Sequence, residues 1–262
     1  MRIVIKVGTS TLAHAGGRLN IRRTELLCRV LSDLKNAGHE LLLVSSGAIG
    51  MGVGKLGLPG RPGDMPGKQA AAAVGQCELM YTYDRLFSGY SHTVAQLLLT
   101  ADDLRHERRS SHVRDTLERL LGFGALPIIN ENDAVATDEI GIETTIGEND
   151  TLSAIVAQLV GADELILLSD IDGLYTADPR RDPAARLIPL VEALTPEILA
   201  LAGGSGSSLG SGGMATKLKA ARIAMEAGID MIITNGERPE LLYDLFGGRA
   251  VGTRFAGRKE QI

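Results

Sequence analysis

Short apolar runs alternate along the chain with longer segments whose apolar residues recur every three or four positions. A short apolar run bounded by glycine and polar residues predicts a buried strand, and the longer periodicity predicts an amphipathic helix. Strands are expected at residues 3–5, 41–44, 94–98, 126–129, 163–168 and 230–234, and helices at 21–37, 69–87, 110–121, 152–159 and from 214 onwards. This regular alternation predicts an α/β protein built on a parallel sheet.

Two polar clusters lie between the fourth strand and the helix that follows it. Residues 130–133 read Asn-Glu-Asn-Asp directly after an apolar run, and residues 148–150 read Glu-Asn-Asp at a helix start. Parallel sheets bind ligands at the carboxyl ends of their strands, and helix N-termini favour anions. Acids and amides gathered there suit a small zwitterion, with an acid facing its ammonium group. Turn and cap positions favour the same residue types for local reasons, so the clusters alone leave both interpretations open.

Small residues follow the first two predicted strands. Residues 7–10 read Val-Gly-Thr-Ser after the first strand, so Lys6 points into the cleft above the sheet, and residues 45–48 read Ser-Ser-Gly-Ala after the second. Glycine and serine in such turns permit a close backbone approach to an anion. Residues 50–67 are rich in glycine and proline, which predicts a mobile loop over the cleft.

A glycine- and serine-rich run, residues 203–213, ends in Met-Ala-Thr-Lys at the start of a well-formed helical pattern. Such a run can be a disordered linker. A glycine-rich loop that feeds a helix N-terminus with a lysine in its first turns is also how proteins cradle phosphate. We favour the cradle, in which Lys217 would meet the phosphate.

Composition narrows the function classes. The chain has 262 residues, 44% of them hydrophobic, with a net charge of -5 and a pI near 5.6, which argues against a nucleic-acid-binding surface. No stretch approaches the roughly 20 apolar residues of a membrane helix, and the N-terminus lacks a signal-peptide pattern, so we expect a cytoplasmic protein with no membrane partner. The two cysteines form no CxxC motif, and the five histidines show no metal-ligand spacing, so no protein-bound metal is expected.

Two separated lysines on phosphate-type loops, Lys6 and Lys217, are the main chemical signal. Phosphoryl transfer needs mostly positioning and positive charge, with little proton chemistry. A carboxylate acceptor would already be ionised at neutral pH, since a glutamate side chain titrates near ~4.3, and no general base would be required. This agrees with a site that contains acids and amides but no evident activated histidine or cysteine.

Six motifs in order resemble those of the amino acid kinase superfamily and, within it, the glutamate 5-kinase family. They lie at residues 6–10, 45–48, 129–135, 147–150, 173–179 and 212–217, and the resemblance covers almost the whole chain. It implies a three-layer α/β/α sandwich with a mostly parallel central sheet. It also implies a single domain over residues 1–262, with an acceptor-substrate lobe over about 1–165 and a nucleotide-binding lobe over about 166–262. Many bacterial relatives continue into a PUA domain, and in a departure from that pattern we expect no PUA domain here.

The resemblance implies the following roles for matching residues. Lys6, Lys217 and Asp150 would be catalytic: the lysines would neutralise charge on the transferred group, and Asp150 would hold them. The acceptor, L-glutamate, would be bound by Ser46, Gly47, Ala48, Asp133 and Asn149, with Asp133 on its ammonium group. ATP, whose phosphates carry Mg²⁺, would be bound by Lys6, Gly8, Ser169, Asp170, Ser211, Gly212, Gly213, Met214, Ala215, Thr216 and Lys217.

The resemblance further implies phosphorylation of the γ-carboxylate of glutamate in the first step of proline biosynthesis. We expect a homo-oligomer with no nucleic-acid partner. Relatives are often inhibited by proline at the glutamate site, which stays a hypothesis here. Two other interpretations stay open at this point: a sibling kinase acting on another small carboxylate, carbamate or phosphate acceptor, and a non-catalytic amino-acid or nucleotide sensor on the same fold.

Overall fold

In the computed structural model, residues 1–14, 18–135, 149–202 and 213–257 are described. The strands in these ranges are β1 (Arg2–Val7), β2 (Glu40–Ser45), β3 (Val94–Leu99), β4 (Leu126–Glu131), β5 (Glu164–Ser169), β6 (Leu190–Val191), β7 (Asp230–Asn235) and β8 (Thr253–Phe255). The helices are α1 (Thr9–Leu12), α2 (Ile21–Asn36), α3 (Ala48–Leu56), α4 (Met65–Ser88), α5 (Ala101–Arg105), α6 (Glu107–Gly122), α7 (Asn149–Leu159), α8 (Pro196–Ala200), α9 (Met214–Glu226) and α10 (Leu241–Phe246). The predicted strands and helices are all found, with ends that differ by a few residues.

The strands form one sheet in the order β3-β4-β2-β1-β5-β7-β8-β6. All neighbouring pairs are parallel except β7 and β8, which confirms the mostly parallel sheet. From β1 the chain adds β2 on one side, and later places β5 on the other side. The strand order therefore reverses at β1, and the crevice at the carboxyl ends of β1 and β5 is the ligand position typical of such sheets.

Two apolar cores lie on opposite faces of the sheet because side chains alternate along each strand. Ile3 and Ile5 of β1 pack in one core with apolar residues of α2, α4 and α10. Val4 packs in the other core with apolar residues of α6, α7 and α9. Helices thus cover both faces, which confirms the three-layer α/β/α sandwich.

The interpretation of residues 50–67 as a mobile loop is wrong for both ends of the segment. Residues up to Leu56 belong to α3, and α4 already begins at Met65, with Asp64 accepting a hydrogen bond from the Gly67 amide. The glycines of α3 and α4 serve close helix packing. A Cβ added at Gly52 would lie 1.8 Å from the Ala71 carbonyl oxygen, and one added at Gly75 would lie 1.7 Å from that of Ala48.

The longest helix in the described ranges, α4, has 24 residues and carries polar side chains along its length. No helix within the described parts of the chain is both long and apolar enough to cross a membrane.

Candidate active site

Lys6 lies near the carboxyl end of β1, at the point where the strand order reverses. Alternation along the strand places it on the same face as Val4, which is the face covered by α7. Its ammonium nitrogen lies 2.6 Å from Oδ1 of Asp150, in the first turn of α7. The register of β1 and the docking of α7 therefore bring together two residues that are distant in sequence.

Asp150 also binds the start of α9. Its Oδ2 lies 3.1 Å from Nζ of Lys217 and accepts a hydrogen bond of 2.9 Å from Oγ1 of Thr216. The helices α7 and α9 pack against each other, so their N-terminal turns lie side by side. We call these residues the Lys6–Asp150–Lys217 cluster.

The cluster is buried: the side chains of Lys6, Asp150 and Lys217 are 11%, 2% and 8% exposed. Burial alone would raise the pKa of Asp150, but the two ammonium groups outweigh it and hold that pKa at about 2. One carboxylate faces two ammonium groups, so the cluster keeps an excess of one positive charge. Lys217 lies in the first turn of a helix, where the dipole disfavours a cation, and the Asp150 carboxylate offsets that cost.

A chain of side-chain hydrogen bonds lies beside the cluster. Nδ2 of Asn149 donates to Oγ of Ser46 at 2.8 Å and to Oδ1 of Asn130 at 2.9 Å. Nδ2 of Asn130 in turn donates to Oε1 of Gln76 at 2.9 Å. Oδ1 of Asn149 is buried and has no hydrogen-bond partner within the described ranges. We call these four residues the amide chain.

The turn after β2 presents backbone groups rather than side chains. Gly47 adopts a left-handed conformation, with φ of 109°, and occupies the N-cap position of α3. A glycine has no side chain that could accept a hydrogen bond from the first amides of the helix. The Ser46 amide already donates to the Val7 carbonyl at 3.0 Å. Because the first amides of a helix lack partners within it, the amides of Gly47 and Ala48 are the donors that this turn offers to an anion.

Two of the residues expected to bind ATP, Ser169 and Asp170, lie at the end of β5. Ser169 donates from Oγ to Oδ1 of Asp170 at 3.2 Å, and Asp170 also pairs with Arg180 at 3.0 Å. A Cβ added at Gly8 would point to within 3.5 Å of Nζ of Lys6, so the glycine leaves open space beside that ammonium. Gly213 is the N-cap of α9, whereas Ser211 and Gly212 lie outside the described residues.

Asp133 lies in the turn that follows β4. Burial raises the pKa of this carboxyl, and the positive charge of Arg61 opposes the rise. Within the described ranges, no hydrogen bond or ion pair links it to the cluster or to the amide chain. Its expected partner, the ammonium group of a ligand, would come from outside the protein. Glu148, from the second polar cluster, lies outside the described residues.

The structure brings Lys6, Asp150 and Lys217 into contact and joins Asn149 to Ser46, while the roles assigned to these residues stay predictions. Sequence reasoning included Asn130 in a polar cluster without giving it a role, and it missed Gln76 entirely. A signal was present, because Gln76 lies three and seven positions before the buried residues Leu79 and Tyr83 on the inner stripe of α4.

Across the described ranges, no three residues of the types His, Cys, Asp and Glu come together in a way that could hold a metal ion.

The family model described as "Amino acid kinase family" matches residues 1–235. This is most of the chain, and it covers both lysines of the cluster and the whole amide chain. The chain therefore belongs to the amino acid kinase family.

Within that family, the chain is similar to glutamate 5-kinases. It is 54% identical over 258 residues to a protein of Clostridium perfringens named "Glutamate 5-kinase", covering 98% of this chain and 96% of that protein. A protein of Listeria innocua with the same name is 53% identical over 261 residues, which cover 100% of this chain and 95% of the relative.

Among solved structures, the chain resembles a T. acidophilum isopentenyl phosphate kinase, with a TM-score of 0.68 at 19% identity and coverage of 97% of this chain and 100% of that one. At this identity the likeness concerns the fold alone, and it agrees with the α/β/α sandwich described above.

Proposed function

We propose that the protein transfers the γ-phosphoryl group of ATP to the γ-carboxylate of L-glutamate, giving L-glutamyl 5-phosphate and ADP in the first step of proline biosynthesis. The similarity to glutamate 5-kinases over nearly the full chain supports this pair of substrates. The observation in the structure that carries the proposal is the buried Lys6–Asp150–Lys217 cluster, which keeps an excess positive charge beside two helix N-termini.

In the proposed step, an oxygen of the γ-carboxylate attacks the γ-phosphorus of ATP. The new O–P bond forms as the bond from that phosphorus to the β,γ-bridging oxygen breaks, and the bond's electron pair leaves with ADP. The attacking carboxylate is already ionised, so no proton has to be removed. Lys6 and Lys217 stabilise negative charge on the transferred group, and Asp150 fixes both ammonium groups so that little reorganisation is needed during the reaction.

The acceptor would lie between the amide chain and the turn after β2. Ser46, the backbone of Gly47 and Ala48, and Asn149 would bind glutamate, with Asp133 pairing with its ammonium group. An N-acetylated substrate has no ammonium group and would leave the partly buried Asp133 carboxylate without a partner. Free glutamate is therefore favoured over N-acetylglutamate.

The nucleotide would lie across the ends of β5 and α9. Ser169, Asp170 and the segment 211–217, from the proposed nucleotide-binding lobe over about 166–262, would bind it together with Lys6 and Gly8, from the proposed acceptor lobe over about 1–165. The buried carboxylate of the site, Asp150, is already paired with two ammonium groups and is therefore not available to Mg²⁺. The site thus fits a nucleotide whose own phosphate oxygens hold the Mg²⁺. Bound there, Mg²⁺ would neutralise phosphate charge.

Trapping the acyl phosphate with hydroxylamine tests the proposal. Purified protein is incubated with ATP, Mg²⁺ and hydroxylamine, together with L-glutamate, L-aspartate or N-acetyl-L-glutamate in parallel reactions, and hydroxamate is measured. Hydroxamate with glutamate alone is expected. Product only with another acceptor would keep the phosphoryl-transfer chemistry and overturn the substrate, and no product with any acceptor would favour the sensor interpretation.

Proline carries a carboxylate and an ammonium group at the spacing of glutamate's own, so we expect it to compete at the acceptor site. Unchanged activity in millimolar proline would refute this. We also expect a homo-oligomer, which sedimentation of the purified protein would detect.

A further inference from the structure

We infer that Gln76 is a positioning residue for the acceptor substrate, and that it acts through Asn130 on the orientation of the Asn149 amide. The inference rests on the proposed function, since the substrate that Asn149 meets is taken to be a free amino acid. Gln76 itself is assigned no contact with the substrate.

The amide chain runs over the carboxyl edge of the sheet from one helical layer to the other. Gln76 belongs to α4 on one face, Asn130 is next to last in β4, and Asn149 begins α7 on the opposite face. Gln76 is 8% exposed and Asn130 is 1% exposed. Next to Gln76, Gly75 packs against the Ala48 carbonyl with no room for a side chain, so this part of α4 is held closely against α3.

The direction of each hydrogen bond in the chain depends on the others. An amide has one donor end and one acceptor end. Asn130 accepts from Asn149 through Oδ1, so its Nδ2 must point toward Gln76, and Gln76 must present Oε1 to it. Turning the Gln76 amide would place two NH₂ groups opposite each other, and turning Asn130 to relieve that clash would oppose the NH₂ group of Asn149.

This dependence decides which atom Asn149 has left for a ligand. Both hydrogens of its Nδ2 are used, by Ser46 and by Asn130, and Oδ1 remains buried without a partner within the described ranges. An unpaired buried acceptor is unfavourable, and a donor from the substrate would remove that cost. An ammonium group is such a donor, whereas a carboxylate would be repelled. The orientation set by Gln76 thus favours acceptors that carry a free amine.

The test compares three variants. Gln76→Met keeps a similar volume and removes the acceptor for Asn130. Gln76→Glu keeps an oxygen that can accept from Asn130 and has no NH₂ group that could reverse the direction of the hydrogen bonds in the amide chain. Thr82→Val is the control, since Thr82 is buried on the same helix and, among the described residues, its hydroxyl donates only to the Glu78 carbonyl. For each, KM is measured for glutamate and for ATP, together with kcat/KM for glutarate, a dicarboxylate that lacks the amine.

For Gln76→Met we expect KM for glutamate to rise about tenfold, since a lost hydrogen bond of about 1.4 kcal/mol is a factor of ten. KM for ATP should stay within about twofold, and the preference for glutamate over glutarate should fall about tenfold. Gln76→Glu and Thr82→Val should keep the wild-type preference. A general structural role for Gln76 would change both KM values together and leave the preference unaltered.

Failure of the inference can be distinguished from failure of the proposed function. If wild-type protein does not phosphorylate glutamate, the proposed function is wrong, and the positioning role falls with it. If wild-type protein is active but Gln76→Met keeps its preference for glutamate, the positioning role alone is overturned. Should Gln76→Met not fold, Gln76→Ala, which also removes the acceptor for Asn130, decides: a preference about tenfold below wild type supports the role, and a wild-type preference overturns it.

Discussion

Replacing Asp150 with asparagine would remove the one negative charge of the Lys6–Asp150–Lys217 cluster while keeping the shape of the side chain. The carboxylate is 2% exposed and lies 2.6 Å and 3.1 Å from the two ammonium nitrogens. Its pKa of about 2, against an ordinary value of 3.8, corresponds to about 2–3 kcal/mol of stability at neutral pH. Because the variant also leaves two ammonium groups unneutralised, we expect a total loss of about 3–5 kcal/mol.

The loss is measured by urea unfolding and by thermal denaturation, where it should lower Tm by about 6–20 °C. The folded pKa lies below the unfolded value, so the contribution of Asp150 is fully present above the unfolded value of 3.8 and is lost as pH falls toward about 2. The difference between wild type and variant should therefore be constant between about pH 5 and pH 8.

Asp102→Asn is the matched control, because Asp102 also lies in the first turn of a helix but is exposed. It should cost no more than about 1 kcal/mol. If Asp150→Asn were as stable as this control, the carboxylate would not be holding the two lysines together, and the electrostatic account of the cluster would be refuted.

Three further predictions concern other parts of the molecule. Lys217→Met should lower kcat about 100-fold in the hydroxamate assay, whereas Lys219→Met, an exposed change on the same helix, should not. Gly75→Ala should lower the free energy of unfolding, measured with urea, by about 1–3 kcal/mol and raise KM for glutamate, because the added Cβ would displace Ala48. Gly122→Ala is the control: it adds a Cβ into open space on α6 and should not lower the free energy of unfolding. Burial raises the pKa of the Glu164 carboxyl from 4.5 to about 6. The protonated carboxyl therefore stabilises the folded protein fully below pH 4.5, and this contribution is lost as the pH rises through 6. Glu164→Gln should raise Tm at about pH 8 and change Tm little at about pH 4.5.

The strands were the easiest part of the fold to predict. A strand buried on both faces, such as β5, has apolar residues at nearly every position, and few other structures of that length need this pattern. Alternation with helices then gave the parallel sheet, and the position of Lys6 at the end of β1 marked the crevice. Which strands are neighbours could not be predicted from pattern alone, because every apolar run could pair with any other.

Residues of α3 and α4 show why other parts of the prediction were wrong. Glycine and proline usually mark loops, and that rule failed between Ala48 and Leu56 because glycines there serve a close crossing of two helices. Such a crossing depends on long-range packing that local sequence does not contain. The apolar stripe of α4 indicated that Gln76 is buried, but its hydrogen bond to Asn130 could not be predicted, since the two residues are 54 positions apart.

The central claim is that a carboxylate oxygen of the acceptor attacks the γ-phosphorus of ATP. L-Glutamate that carries heavy oxygen only in its γ-carboxylate tests this most directly, with the acyl phosphate cleaved at its carbonyl carbon by hydroxylamine and the released phosphate analysed by mass spectrometry. The account predicts one heavy-oxygen atom in each phosphate released. Phosphate without the label, formed at the same rate with and without glutamate, would show that water is the acceptor and would contradict the account.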